Sequence, residues 1–147
     1  MAEVPPFTRM TKRLYMGSKK ALAPSMPIFD VYVSMAKEIQ PPRTPYGDFE
    51  SVWFKMDDVP WDFENDPETV RKLIELSSIL ARMVRQRKSV LVFCHMGMNR
   101  SGLMTGLILL QLGYSFDQAM EMIRRRSPCT VFNESFEDFL YWISTSR

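Results

Sequence analysis

The chain has 147 residues, 46% of them apolar and 24% charged, with a net charge of +2. This composition fits one globular domain over 1–147. It argues against disorder as the main state, a nucleic-acid coat and a polybasic membrane protein. No apolar run approaches the ~18 residues of a membrane span, and the N-terminus has no apolar signal region. Two cysteines are too few for a disulfide framework, so a reducing, cytoplasmic setting is expected. With a single histidine and the cysteines in separate segments, no metal site is expected.

Residues 1–12 mix proline, threonine and basic side chains and read as an exposed arm. Leu14, Tyr15 and Met16, closed by Gly17, predict a strand. Residues 28–33 are β-branched and aromatic and predict a second. Residues 40–47 hold three prolines in five positions and predict a loop. Val52, Phe54 and Met56 alternate with Trp53 and Lys55 and predict a third strand. The stretch 57–65 is acidic and irregular.

Asp66 and Pro67 then open a helix, the first as N-cap and the second at a position where its missing N–H costs nothing. Val70, Leu73, Ile74, Leu80 and Val84 form its apolar face, and it ends in the basic run 85–88. The continuous apolar run 89–93 predicts a central strand buried on both faces. A polar, glycine-bearing loop over 94–102 leads into an apolar helix that Gly113 stops. Ser115 and Gln118 form a capping-box pattern for the next helix, to about residue 126. Asn133 caps the last, with Phe136, Phe139, Leu140 and Ile143 on one face. The expected fold is α/β, with a single central mixed, mostly parallel sheet flanked by helices.

The segment 90–102 carries the chemistry. A strand, a tight loop and a helix start aim several backbone N–H groups at one point, and such a nest binds an anion of the phosphate or sulfate type. Cys94 opens the loop and Arg100 closes it. The helix dipole and the guanidinium both favour a thiolate. The planar fork of Arg100 suits two phosphate oxygens. Gly97 permits a sharp turn, and Ser101 is placed to hydrogen-bond the sulfur. His95, Met96, Gly97, Met98 and Asn99 complete the candidate phosphate-binding loop, chiefly through their backbone. The run Arg124 to Arg126 reads as dipole complementation, or as a second anion subsite.

Residues 94–102 resemble the C-x5-R-[ST]-G signature of cysteine-dependent protein phosphatases. Residues 14–18, 54–58 and 124–128, with Asn133 and Phe136, resemble further stretches of the small dual-specificity branch. The likeness spans roughly 12–143. It implies that Cys94 attacks phosphorus, Arg100 holds the phosphoryl oxygens and Ser101 assists departure of the sulfur. It also implies an aspartate general acid. Asp57, Asp58, Asp62 and Asp66 are candidates. Strand alternation aligns Asp58 with the family's acid, while Asp66 is expected as a cap.

The implied substrates are phosphotyrosine and phosphoserine or phosphothreonine in proteins or peptides, with no cofactor. Two alternatives stand beside this reading: an RNA 5′-triphosphatase of the same superfamily, and a phosphate-binding pseudophosphatase. Where the family usually has histidine before the cysteine, this chain has Phe93.

Overall fold

A computed structural model describes residues 3–43 and 49–146. Among these described residues, five strands form one sheet in the order β1-β2-β5-β3-β4: β1 (Phe7–Thr11), β2 (Leu14–Ser18), β3 (Val31–Ala36), β4 (Glu50–Met56) and β5 (Val90–Cys94). β2, β5, β3 and β4 run parallel, and only β1 is antiparallel to its neighbour β2. Four helices among the described residues flank the sheet: α1 (Pro67–Arg85), α2 (Arg100–Gln111), α3 (Phe116–Arg124) and α4 (Glu134–Thr145). The architecture is the α/β sheet expected from the sequence.

The parallel core follows from composition. β5 is buried along its whole length because it is central and covered on both faces. Its side chains alternate between two cores. Val90, Val92 and Cys94 face the main core with α2, whereas Leu91 and Phe93 join Ala21, Phe29 and Tyr32 in a smaller cluster on the other face. Helix α2 is buried from Arg100 to Leu110, so its sequence needs no polar stripe.

The capping assignments hold. The Asp66 carboxylate accepts from Thr69 N at 3.3 Å, and Ser115 with Gln118 makes both bonds of a capping box. Asn133 caps α4 by accepting from Phe136 N.

Three expectations are corrected. Residues 7–11 are not an exposed arm but pair with β2 as an edge strand, with Met10 buried. Their polar composition hides this because an edge strand buries few side chains. The strand expected over 28–33 lies at Val31–Ala36 instead, and Ile28 is exposed. Asp30 sits outside it, accepting from Ser89 N at 2.8 Å and donating its own N–H to Ser89 Oγ at 2.9 Å. The irregular stretch 57–65 ends in a short 3-10 turn, Phe63–Asn65. Of the loop expected over 40–47, residues 44–47 lie outside the described residues.

Candidate active site

The site forms where the parallel strands end. In the β2–β5 register Ser18 lies beside Cys94, and the chain leaves β5 directly into the loop 95–99 before α2 begins at Arg100. This is the carboxyl edge of a parallel sheet, the usual position for a ligand crevice. None of the backbone N–H groups of 95–99 donates to another described residue. Five successive donors are therefore free at the N-terminal end of a buried helix, where an anion is favoured.

Cys94 is buried, and its thiol donates to Ser101 Oγ at 3.2 Å. The hydroxyl can reverse that bond and donate when the sulfur is a thiolate. Ser101 is itself fully buried, so its rotation is confined.

Arg100 is also buried, and its fork meets a residue that sequence reasoning missed. Nη1 donates to Glu38 Oε1 at 2.6 Å and Nη2 to Glu38 Oε2 at 2.8 Å, while Nη1 also donates to the Met56 carbonyl at 2.9 Å. The hydrogen bond from Arg100 holds the Glu38 carboxyl down at about 2. The same bond, ahead of the opposing effect of burial, raises Arg100. Glu38 follows β3 in the sequence, and a carboxylate just past a central parallel strand was the available signal.

Gly97 adopts φ +73°, and a Cβ there would stand 2.6 Å from the carbonyl carbon and oxygen of Gly17. Only glycine fits both the dihedral and the close approach. Its carbonyl accepts from Arg126 Nε at 2.8 Å. Arg126 is buried, and desolvation lowers its pKa. Its Nη1 reaches the Pro5 carbonyl at 2.8 Å and Thr8 Oγ1 at 3.2 Å. Arg126 is thus a brace between the loop and the N-terminal strand. Arg124 instead pairs with Glu137 and donates to the Thr130 carbonyl. Only Arg125 of the three lies exposed.

The four aspartates separate clearly. Asp58 Oδ2 accepts from Asn99 Nδ2 at 2.8 Å, and its Oδ1 accepts from Asn133 Nδ2 at 3.0 Å. Asn99 Oδ1 in turn accepts from Asn133 N at 3.0 Å. Asp58 is therefore tied to the loop and to the cap of α4, and its field raises Arg100. Asp57 lies 4.0 Å from Lys37, and Asp62 accepts from Asn65 at 2.7 Å. Asp66 accepts from Trp61 Nε1 at 2.9 Å as well as capping α1, and the Trp61 bond is the main cause of its lowered pKa. Asn99 thus spends its side chain on Asp58 and Asn133.

His95 and Met96 are exposed on the outer side of the loop, and Met98 accepts from Val131 N through its carbonyl at 3.3 Å. Val131 is fully buried at φ +58°, a costly backbone conformation for a β-branched residue. Strain of this kind, of order 1–3 kcal/mol, persists only where its surroundings enforce it. Here those surroundings are the loop and Gly102, where a Cβ would lie 2.5 Å from Val131 Cγ2. Trp61 is half-buried and packs on Phe63, Phe136 and Phe139 against the core.

Among solved structures, a mouse protein of the dual specificity phosphatase class, crystallised with zinc tungstate, superposes with a TM-score of 0.82 at 22% identity. The match covers 99% of this chain and 91% of that one. Human DUSP28 gives 0.77 at 19% identity, covering 97% and 95%. OH1 from the Orf virus, a tyrosine phosphatase with triple substrate specificity, gives 0.68 at 18% identity, covering 96% and 87%. These likenesses establish the fold. No curated protein sequence matches the chain. A family model for "Dual specificity phosphatase, catalytic domain" matches residues 14–145, so the chain belongs to the dual specificity phosphatase family.

Proposed function

We propose that this protein hydrolyses phosphotyrosine, and phosphoserine or phosphothreonine, through a cysteinyl-phosphate intermediate on Cys94. The observation that carries the reading is the run of free N–H donors over 95–99 beside a buried thiol. A guanidinium has five N–H donors. Glu38 and the Met56 carbonyl engage three of those on Arg100. Nε–H and one Nη2–H remain, and these share one edge of the planar group. That edge matches two phosphoryl oxygens.

In the first step the Cys94 thiolate attacks phosphorus and the P–O bond to the substrate breaks. Asp58, protonated, gives its proton to the leaving oxygen. In the second step Asp58, now a carboxylate, takes a proton from water. The water oxygen attacks phosphorus, the S–P bond breaks, and inorganic phosphate leaves. Ser101 Oγ–H stabilises the departing thiolate across the 3.2 Å contact. The N–H groups of His95, Met96, Gly97, Met98 and Asn99 hold the equatorial oxygens throughout.

The test is the pH–rate profile of the wild type and Cys94→Ser on a small aryl phosphate with EDTA present. A Cys94-dependent rate with an acidic limb is expected. No rate above that of the serine variant at any pH overturns the reading.

A further inference from the structure

We propose that Lys19 and Lys20 form an accessory anion-binding groove beside the catalytic loop, which takes an acidic side chain of a phosphopeptide substrate. The proposal rests on the reading of 94–100 as the phosphate site, and it names the chemistry of the substrate around the phosphorylated residue.

The β2–β5 register sets the groove. Ser18 lies beside Cys94, so the residues after each strand end run on together, and Lys19 N donates to the His95 carbonyl at 3.4 Å. Ser18 Oγ accepts from Lys20 N at 3.2 Å and caps the short turn Lys19–Leu22. The two lysines are thus fixed at their backbone beside the loop. A groove of about 280 Å³ opens between them and His95, Met96 and Met98.

Its charges are unbalanced. Both lysines are exposed, and neither ammonium forms an ion pair or hydrogen bond among the described residues. Arg126 also borders the groove, but its guanidinium is engaged by Gly97, Pro5 and Thr8. Glu3, the acid that lines the groove among the described residues, lies within ion-pair distance of neither lysine. A larger hollow of about 500 Å³ between β4 and α1 sets Asp57 and Asp66 against Lys55 and Lys72, so its charges offset one another.

The groove lining points to a peptide. Met96 is 61% exposed, and with Met98 and Val4 it adds apolar lining beside the two lysines. Thioethers adapt to varied side chains. An aspartate or glutamate lays its methylene stem on such a surface and its carboxylate between the lysines. Among the described residues, no Phe, Tyr or Trp lines the groove as a platform on which the bases of a nucleotide chain would stack.

The test measures binding of three phosphotyrosine peptides of equal length to the Cys94→Ser protein, by calorimetry, at low and high salt. One peptide has neutral neighbours, one has glutamates, and one carries a second phosphate. The glutamate peptide is expected to bind roughly five- to tenfold tighter than the neutral one at low salt, as two rim charge pairs allow. The preference should shrink at high salt. Adding Lys19→Gln and Lys20→Gln should bring the ratio near one.

Equal binding of the neutral and glutamate peptides overturns the proposal, as does a preference that survives the double substitution. A second phosphate that binds tightly where glutamate does not also overturns the acidic-residue assignment. Wild-type protein that binds with this preference yet hydrolyses neither peptide nor aryl phosphate would leave the groove standing and sink the hydrolytic reading. Hydrolysis without the preference would do the reverse.

Discussion

Glu38 holds Arg100 end-on, through both carboxylate oxygens and both terminal nitrogens, and so fixes the plane of the guanidinium from behind. The ion pair joins a half-exposed carboxylate to a buried arginine. Under the proposed mechanism, Glu38→Ala should lower kcat/KM on an aryl phosphate by roughly 10- to 100-fold, because a misaligned fork loses its transition-state contacts. Steady-state kinetics on the purified variant checks this, and an unchanged rate would show that Met56 alone orients the arginine.

The same pair has a pH signature. The Glu38 carboxyl lies at about 2, below its ordinary 4.5. A carboxyl depressed by folding contributes stability above its unfolded value and loses it as pH falls toward the folded one. Screening at the half-exposed carboxylate limits this contribution to about 1 kcal/mol. The stability difference between wild type and Glu38→Gln should therefore be flat above pH 5 and shrink between pH 4.5 and 2. Urea denaturation across that range checks it, and a difference that grows on acidification would contradict the pairing.

Asp58 as general acid predicts a dependence on the leaving group. Asp58→Ala should lower kcat by about 10²- to 10³-fold on a poorly departing phenol and much less on an acidic nitrophenol. Asn133→Ala releases Oδ1 of Asp58 and the α4 cap together, so a smaller loss of rate should accompany about 1 kcal/mol of destabilisation. Equal losses on both phenols for Asp58→Ala would assign the proton to another group.

Gly97→Ala tests the loop geometry without touching a reacting group. The added methyl meets the Gly17 backbone, which cannot swing aside as a side chain does. Phosphate or tungstate binding should weaken by at least tenfold, as read by calorimetry. Near wild-type affinity would mean that the loop tolerates a different turn.

Phe93→Ala should cost about 3–5 kcal/mol, the usual range for deleting a fully buried aromatic. The ring points away from Cys94, into the cluster of Phe29, Tyr32 and Ala21. Its loss should act on thermal stability first, with activity at low temperature largely retained. A collapse of activity without a fall in Tm would place Phe93 in the machinery of the loop instead.

The parts of this molecule that were legible in the sequence are local. The loop 94–102 is contiguous, so residue type and spacing sufficed to place Cys94, Arg100 and Ser101 together, and the caps at Asp66, Ser115 and Asn133 are short-range patterns as well. Glu38 and Arg126 act across gaps of 62 and 29 residues, respectively, through contacts with no local signature. Of the run Arg124 to Arg126, the last is buried as a brace rather than offered to an anion, which spacing along the chain does not reveal. β1 escaped notice because an edge strand needs little hydrophobic pattern.

Arg126 gives that edge strand a second meaning. The family model begins at residue 14, yet the guanidinium that supports the Gly97 carbonyl is itself held by Pro5 and Thr8. The boundary drawn by kinship and the boundary drawn by hydrogen bonds therefore differ by about nine residues. A protein trimmed to the shorter limit keeps Cys94 and Arg100 and loses the guy-rope that steadies the loop between them. The hydrogen-bonded unit of this fold starts upstream of where the family model begins.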